Sequence, residues 1–205
     1  MASALAQTGA LQPVYILLDT SGSMRGEPIA AVNVGLASML ASLRARPGVA
    51  EQMLLSLLTF DALVKEILPL QPLSALRLPL LEVPSSGPTF LGAALEAFLV
   101  LHRNALTVGR LPAMLFIMTD GSPTDLQIYE EAIPKVRSLG LKRITAFAAG
   151  PKAKPEYLQW LTEDVIRLDT LDGPAFARLF EHVAQTLGGA SPSFPPPPPD
   201  LQVVL

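Results

Sequence analysis

The sequence predicts a doubly wound α/β fold: a mostly parallel six-stranded sheet with one antiparallel edge strand and helices on both faces. Three observations carry this prediction. Predominantly apolar runs at residues 14–18, 54–60 and 113–119 fit strands covered on both faces, because a half-solvated strand would alternate. Amphipathic stretches of helical period separate most of these runs, the rhythm of a parallel sheet wound by right-handed crossovers. Two of the runs lead into carboxylates, Asp19 and Asp120, at the strand ends that face the ligand crevice in such sheets.

Taken in order, residues 14–18 form the first strand, and Glu27-Pro28 opens a helix because proline suits a first turn whose N–H has no partner. Ile29, Val32, Leu36, Leu40 and Leu43 give that helix one apolar face, and Arg46-Pro47-Gly48 stops it. Residues 54–60 are the second strand. The Asp61-Ala62 connection is too short for a crossover, so residues 63–68 return antiparallel as the sheet edge. A helix is expected around residues 74–81, interrupted by Pro79. Ser85-Ser86-Gly87-Pro88 reads as a loop, and Thr89 starts a helix whose buried face holds Leu91, Leu95, Phe98 and Leu99. After the 113–119 strand, Leu126, Tyr129, Ile133 and Val136 mark a helix containing Pro134. Residues 141–148 and 165–168 are the last two strands, with a short helix at 155–161 between them. Phe176, Leu179, Phe180, Val183 and Leu187 define the final helix. With the first strand central, the order becomes 3-2-1-4-5-6, and the switch point falls between Asp19 and Asp120.

The expected organisation is a leader at 1–10, one domain at 11–188 and a proline-rich tail at 189–205, where five consecutive prolines at 195–199 favour polyproline II. Hydrophobic residues make up 50% of the chain and charged ones 16%, ample material for a core. A net charge of -3 removes the electrostatic reason to expect nucleic acid or an anionic membrane as partner. No cysteine is present, which excludes disulfides, thiolate metal sites and thiol nucleophiles, and fits a cytoplasmic setting. No apolar run reaches the roughly 20 residues that a membrane helix needs.

Two carboxylates held at one switch point repel unless one is protonated or a cation lies between them. The hydroxyls of Ser21, Ser23 and Thr89 are hard, neutral donors suited to Mg²⁺, with Mn²⁺ or Ca²⁺ as substitutes. The candidate metal ligands are therefore Asp19, Ser21, Ser23, Thr89 and Asp120.

Asp19-Thr20-Ser21-Gly22-Ser23, then Thr89, then Asp120-Gly121 resembles the metal ion-dependent adhesion site of von Willebrand factor A domains, over roughly residues 11–188. The resemblance implies that Ser21, Ser23 and one further group ligate the metal, that Asp19 and Asp120 bind directly or through water, and that one position stays open for a partner's carboxylate. It implies binding rather than catalysis. Residues 13–29, Leu91-Gly92-Ala93-Ala94-Leu95 and Met118-Thr119-Asp120-Gly121-Ser122-Pro123-Thr124-Asp125 are similar to bacterial TerY-like proteins of tellurite-resistance and stress systems. That likeness implies a protein kinase and a phosphatase as partners.

The enzyme alternative is a Mg²⁺-dependent phosphoryl-transfer hydrolase with Asp19 as nucleophile. Against it, Ser21 stands where haloacid dehalogenase-like phosphatases place an acid, and no lysine is evident in an equivalent loop; a nucleotide-binding module is disfavoured because no phosphate-binding glycine loop follows a strand. Plainer readings suit the remaining residues. Asp125 is expected to cap the helix that follows it, and Asp61 and Ser122 to be turn formers. His102 and His182 are expected at the surface, and Tyr157 and Trp160 in packing. The tail is expected to be solvated, with a docking peptide as the sharper alternative.

Overall fold

In a computed structural model, which describes residues 11–83, 87–105, 111–188 and 201–204, seven strands form one sheet in the order β3-β2-β1-β4-β5-β6-β7. The strands are β1 (Gln12–Asp19), β2 (Met53–Phe60), β3 (Val64–Pro72), β4 (Met114–Thr119), β5 (Arg143–Ala149), β6 (Val165–Leu168) and β7 (Gln202–Val203). The helices are α1 (Glu27–Arg44), α2 (Val49–Gln52), α3 (Leu91–Ala105), α4 (Leu126–Arg137), α5 (Pro155–Gln159) and α6 (Gly173–Gly188). The five central strands run parallel and β3 closes one edge antiparallel, as the short connection of three residues after Phe60 requires. The expected leader, the loop residues Ser85 and Ser86, and the five prolines lie outside the described residues.

The alternation of side chains along β1 divides the core. Val14, Ile16 and Leu18 point to the side covered by α1 and α6. Tyr15 and Leu17 point to the side covered by α3, α4 and the short α5. Tyr157 and Trp160 pack as expected: Trp160 meets the Tyr157 ring edge-on at 5.1 Å and stacks on Tyr129 at 6.4 Å.

Three expectations need correction. The sheet has seven strands and two antiparallel edges, because residues placed in the tail return to the fold. β7 pairs with β6, the Val204 N–H reaches the Val165 carbonyl at 2.9 Å, and Leu201 is buried. Without this pairing the β6 edge would carry open backbone donors and acceptors. No helix forms at residues 74–81. Leu73, Leu76 and Leu81 are buried on the α1 side, and α1 satisfies their backbone with side chains. Arg44 bonds the Leu73 and Leu76 carbonyls, while Asn33 both donates to the Leu81 carbonyl and accepts from its N–H, at 2.9 and 2.8 Å. Prolines at 72 and 79 disfavour a helix, and these bonds remove the need for one. Finally, His102 and His182 are only 8% and 3% exposed, each filling an apolar helix face rather than the surface.

Candidate metal centre

β1 and β4 are neighbours, and their register pairs Leu18 with Met118, so the next step up each strand sets Asp19 beside Thr119 and brings Asp120 just beyond. Asp19 is completely buried. Its Oδ1 accepts the Ser21 backbone N–H at 2.7 Å, and its Oδ2 accepts the Thr119 hydroxyl at 2.6 Å. A 3₁₀ turn at Gly22–Met24 follows, closed by the Met24 N–H on the Ser21 carbonyl at 3.0 Å. The turn folds the loop so that the Ser21 and Ser23 hydroxyls lie 3.2 Å apart, and the Ser23 hydroxyl donates to Asp120 Oδ1 at 2.8 Å. Asp19, Ser21, Ser23 and Asp120 thus form one hydrogen-bonded run across the switch point.

Thr89 reaches the same place from the α3 side. Gly121 serves as a ruler: a Cβ added there would lie 3.2 Å from Thr89 Oγ1, so this buried hydroxyl stands over the residue next to Asp120. All five candidate ligands therefore converge, four through direct hydrogen bonds and Thr89 by its position over Gly121.

Burial raises the Asp19 carboxyl to about 6, despite the bonds from Thr119 and Ser21, and the nearby Asp120 adds to the rise. Burial also raises Asp120, offset in part by the Ser23 hydroxyl and by Lys152 on the loop after β5. Two desolvated carboxylates bordered by hydroxyls make a crevice that favours a positive charge. Among the described residues no three His, Asp or Glu side chains group together, so any cation held here takes hydroxyl donors as well. That donor set fits a hard divalent ion.

One neighbour went unread at the sequence level, and two others do more, or other, than expected. Thr119, which orients Asp19, was legible in principle, since it precedes Asp120 and the parallel register places it beside Asp19. Asp61 is more than a turn former. It is buried, its Oδ1 accepts the Leu63 N–H at 2.9 Å, and its Oδ2 accepts the Thr20 hydroxyl at 3.3 Å. Asp125 occupies the residue before α4 but makes no side-chain cap to that helix. Its carboxylate instead accepts the N–H groups of Gly92 and Ala93 in α3, at 3.1 and 2.8 Å.

The structure is similar to that of proximal thread matrix protein 1 from the mussel byssus, with a TM-score of 0.68 at 16% identity, over 86% of this chain and 48% of that one. Another structure of the mussel protein is described as having a zinc-occupied metal ion-dependent adhesion site motif and matches with a TM-score of 0.64 at 15% identity, over 85% and 45% of the two chains. The pilus adhesin SpaC from Lactobacillus rhamnosus GG matches with a TM-score of 0.68 at 12% identity, over 89% of this chain and 30% of the adhesin. The chain thus spans about half of the mussel protein and less than a third of the adhesin, and at these identities the likeness speaks for the fold. No curated protein matches the sequence. A model of the von Willebrand factor type A domain matches residues 14–164, and with the fold it shows that the chain belongs to that family.

Proposed function

We propose that this domain is a metal-dependent protein-binding module. Asp19, Ser21, Ser23, Thr89 and Asp120 would hold a divalent ion, Mg²⁺ in the first instance and Mn²⁺ or Ca²⁺ as substitutes. Bound there, the ion would act as a Lewis acid toward an acidic side chain of a partner protein. The observation that carries the reading is the hydrogen-bonded run Asp19–Ser21–Ser23–Asp120, built from two buried carboxylates and hydroxyls. The zinc-occupied motif described for the mussel protein supports the same reading.

Binding suits the site better than phosphoryl transfer. Two residues beyond Asp19, where haloacid dehalogenase-like phosphatases place an acid, this chain has Ser21, whose hydroxyl is taken up in the run with Ser23. Residues 11–188 carry the site in this proposal, and β7 completes the sheet that supports it. The likeness to TerY-like proteins supports a place in a bacterial tellurite-resistance or stress-response system, in the cytoplasm, with a kinase and a phosphatase as candidate partners. Among the described residues no helix is long and apolar enough to cross a membrane.

Calorimetric titration of chelator-treated protein with Mg²⁺ and Mn²⁺ tests the site. Saturable binding by the wild type and its loss in Asp19→Ala is the expected result. Equal binding by the two proteins, or none by the wild type, would overturn the assignment. Capture of the candidate partners with and without chelator then tests the coordination of a partner's carboxylate.

A further inference from the structure

The loop at residues 120–125 carries one candidate ligand and grips the backbone around another. Asp120 opens it. Four residues on, Thr124 gives both its N–H and its hydroxyl to the Thr89 carbonyl, at 2.9 and 3.1 Å. Asp125 then takes the N–H groups of Gly92 and Ala93. On the other side, the Phe90 N–H is held by the Asp61 carbonyl at 3.1 Å. The backbone next to the Thr89 hydroxyl is therefore fixed from both directions.

These contacts have a local cause. α3 begins at Leu91, so Phe90 stands where Ser, Thr, Asp or Asn would normally cap a helix, and its side chain has no acceptor for the first free N–H groups. Asp125 supplies the missing cap from another element, and its negative charge also suits the positive end of α3. Gly92 makes room for it. Any Cβ there would overlap the Tyr129 amide nitrogen and Asp125 Oδ2, so glycine lets the start of α3 lie directly against α4.

We infer that Asp125 is a positioning residue for the metal centre: by capping α3 from the Asp120 loop, it sets the place of the Thr89 hydroxyl relative to Asp120. The inference rests on the metal-binding reading above. Thr89 and Asp120 lie on separate elements, and an ion shared between them tolerates little error in their spacing. A clamp that joins the Asp120 loop to the Thr89 backbone makes the two donors one unit.

A double-mutant cycle tests this, with Mn²⁺ alone as the probe. Asp125→Ala, Thr89→Ala and the double variant are titrated calorimetrically beside the wild type, and circular dichroism with thermal unfolding establishes that each is folded. Asp125→Ala is expected to weaken Mn²⁺ binding by about tenfold, and the double variant to bind no more weakly than Thr89→Ala, because the clamp acts only through Thr89. Thr124→Val, which removes a single hydroxyl bond, serves as the milder variant should Asp125→Ala not fold, with a loss of about threefold expected. Unchanged affinity in Asp125→Ala, or losses that multiply in the double variant, would overturn the clamp while leaving the metal site intact. Absence of Mn²⁺ binding by the wild type would overturn the metal reading and the clamp together.

Discussion

The Thr119 hydroxyl donates to Asp19 Oδ2 and accepts the Gly121 N–H at 3.2 Å, so one small side chain links the carboxylate of β1 to the turn that follows β4. Thr119→Val keeps the shape but leaves a buried carboxylate oxygen without its donor, which should cost about 1–3 kcal/mol of stability. Metal affinity should fall as well, because Asp19 loses its orientation, and Thr119→Ser should restore both. Denaturant unfolding and Mn²⁺ titration of the two variants are the checks, and a Thr119→Val protein that binds Mn²⁺ normally would remove Thr119 from the site's support. His102 makes a separate prediction. Stacked on Phe98 and edge-on to Tyr15, with no partner for Nδ1 among the described residues, it is held below its ordinary pKa by burial. A histidine with a lowered folded pKa contributes its full stability above the unfolded value of about 6.5 and loses it as pH falls toward the folded one. The carboxyls of Asp19 and Asp120 are shifted upward, so they act in the opposite sense on acidification. The difference between proteins isolates the imidazole: His102→Phe should lose less stability than the wild type between pH 7 and 5, and equal losses would sink the idea.

At the scale of elements, what was legible in the sequence followed from periodicity and strand ends. The runs at 14–18, 54–60 and 113–119 announce buried strands, and the short link after Phe60 announces an antiparallel partner, because these patterns are local. Asp19 and Asp120 could be brought together on paper because the parallel topology leaves one switch point. Elements and roles that depend on distant partners escaped. Residues 74–81 have the apolar spacing of a helix, yet Asn33 and Arg44 on α1 satisfy them in an irregular path. Asp125 sits at the usual capping position before α4 and caps α3 instead, because Phe90 leaves that helix without a cap of its own. The histidines show the same limit, since a polar ring on a helix looks exposed until a neighbouring element covers it.

For the whole molecule, the least legible feature is the last strand, since only its position against β6 gives residues 201–204 a structure. Leu201 joins the core on the α1 and α6 side, and Val204 packs on the opposite side of the sheet, so the segment covers an edge from both faces. It lies beyond β6, with β4 and β5 between it and β1, and so stands away from the metal centre at the β1–β4 switch point. Stability and metal binding should therefore separate when it is removed. Deleting residues 201–205 forfeits the burial of Leu201, roughly 1.5–3 kcal/mol, less the entropy regained by the freed chain, and a net loss of about 1–2 kcal/mol is expected. It also bares the backbone of β6, a template for pairing with another copy. Denaturant unfolding should show the lower stability, light scattering should show self-association rising with concentration, and Mn²⁺ affinity measured on the monomeric fraction should match that of the full chain. If the truncated protein self-associated no more than the full chain and were equally stable, β7 would be no part of what holds the sheet together; if Mn²⁺ binding fell with it, the sheet edge and the metal centre would be coupled through β4, β5 and β6.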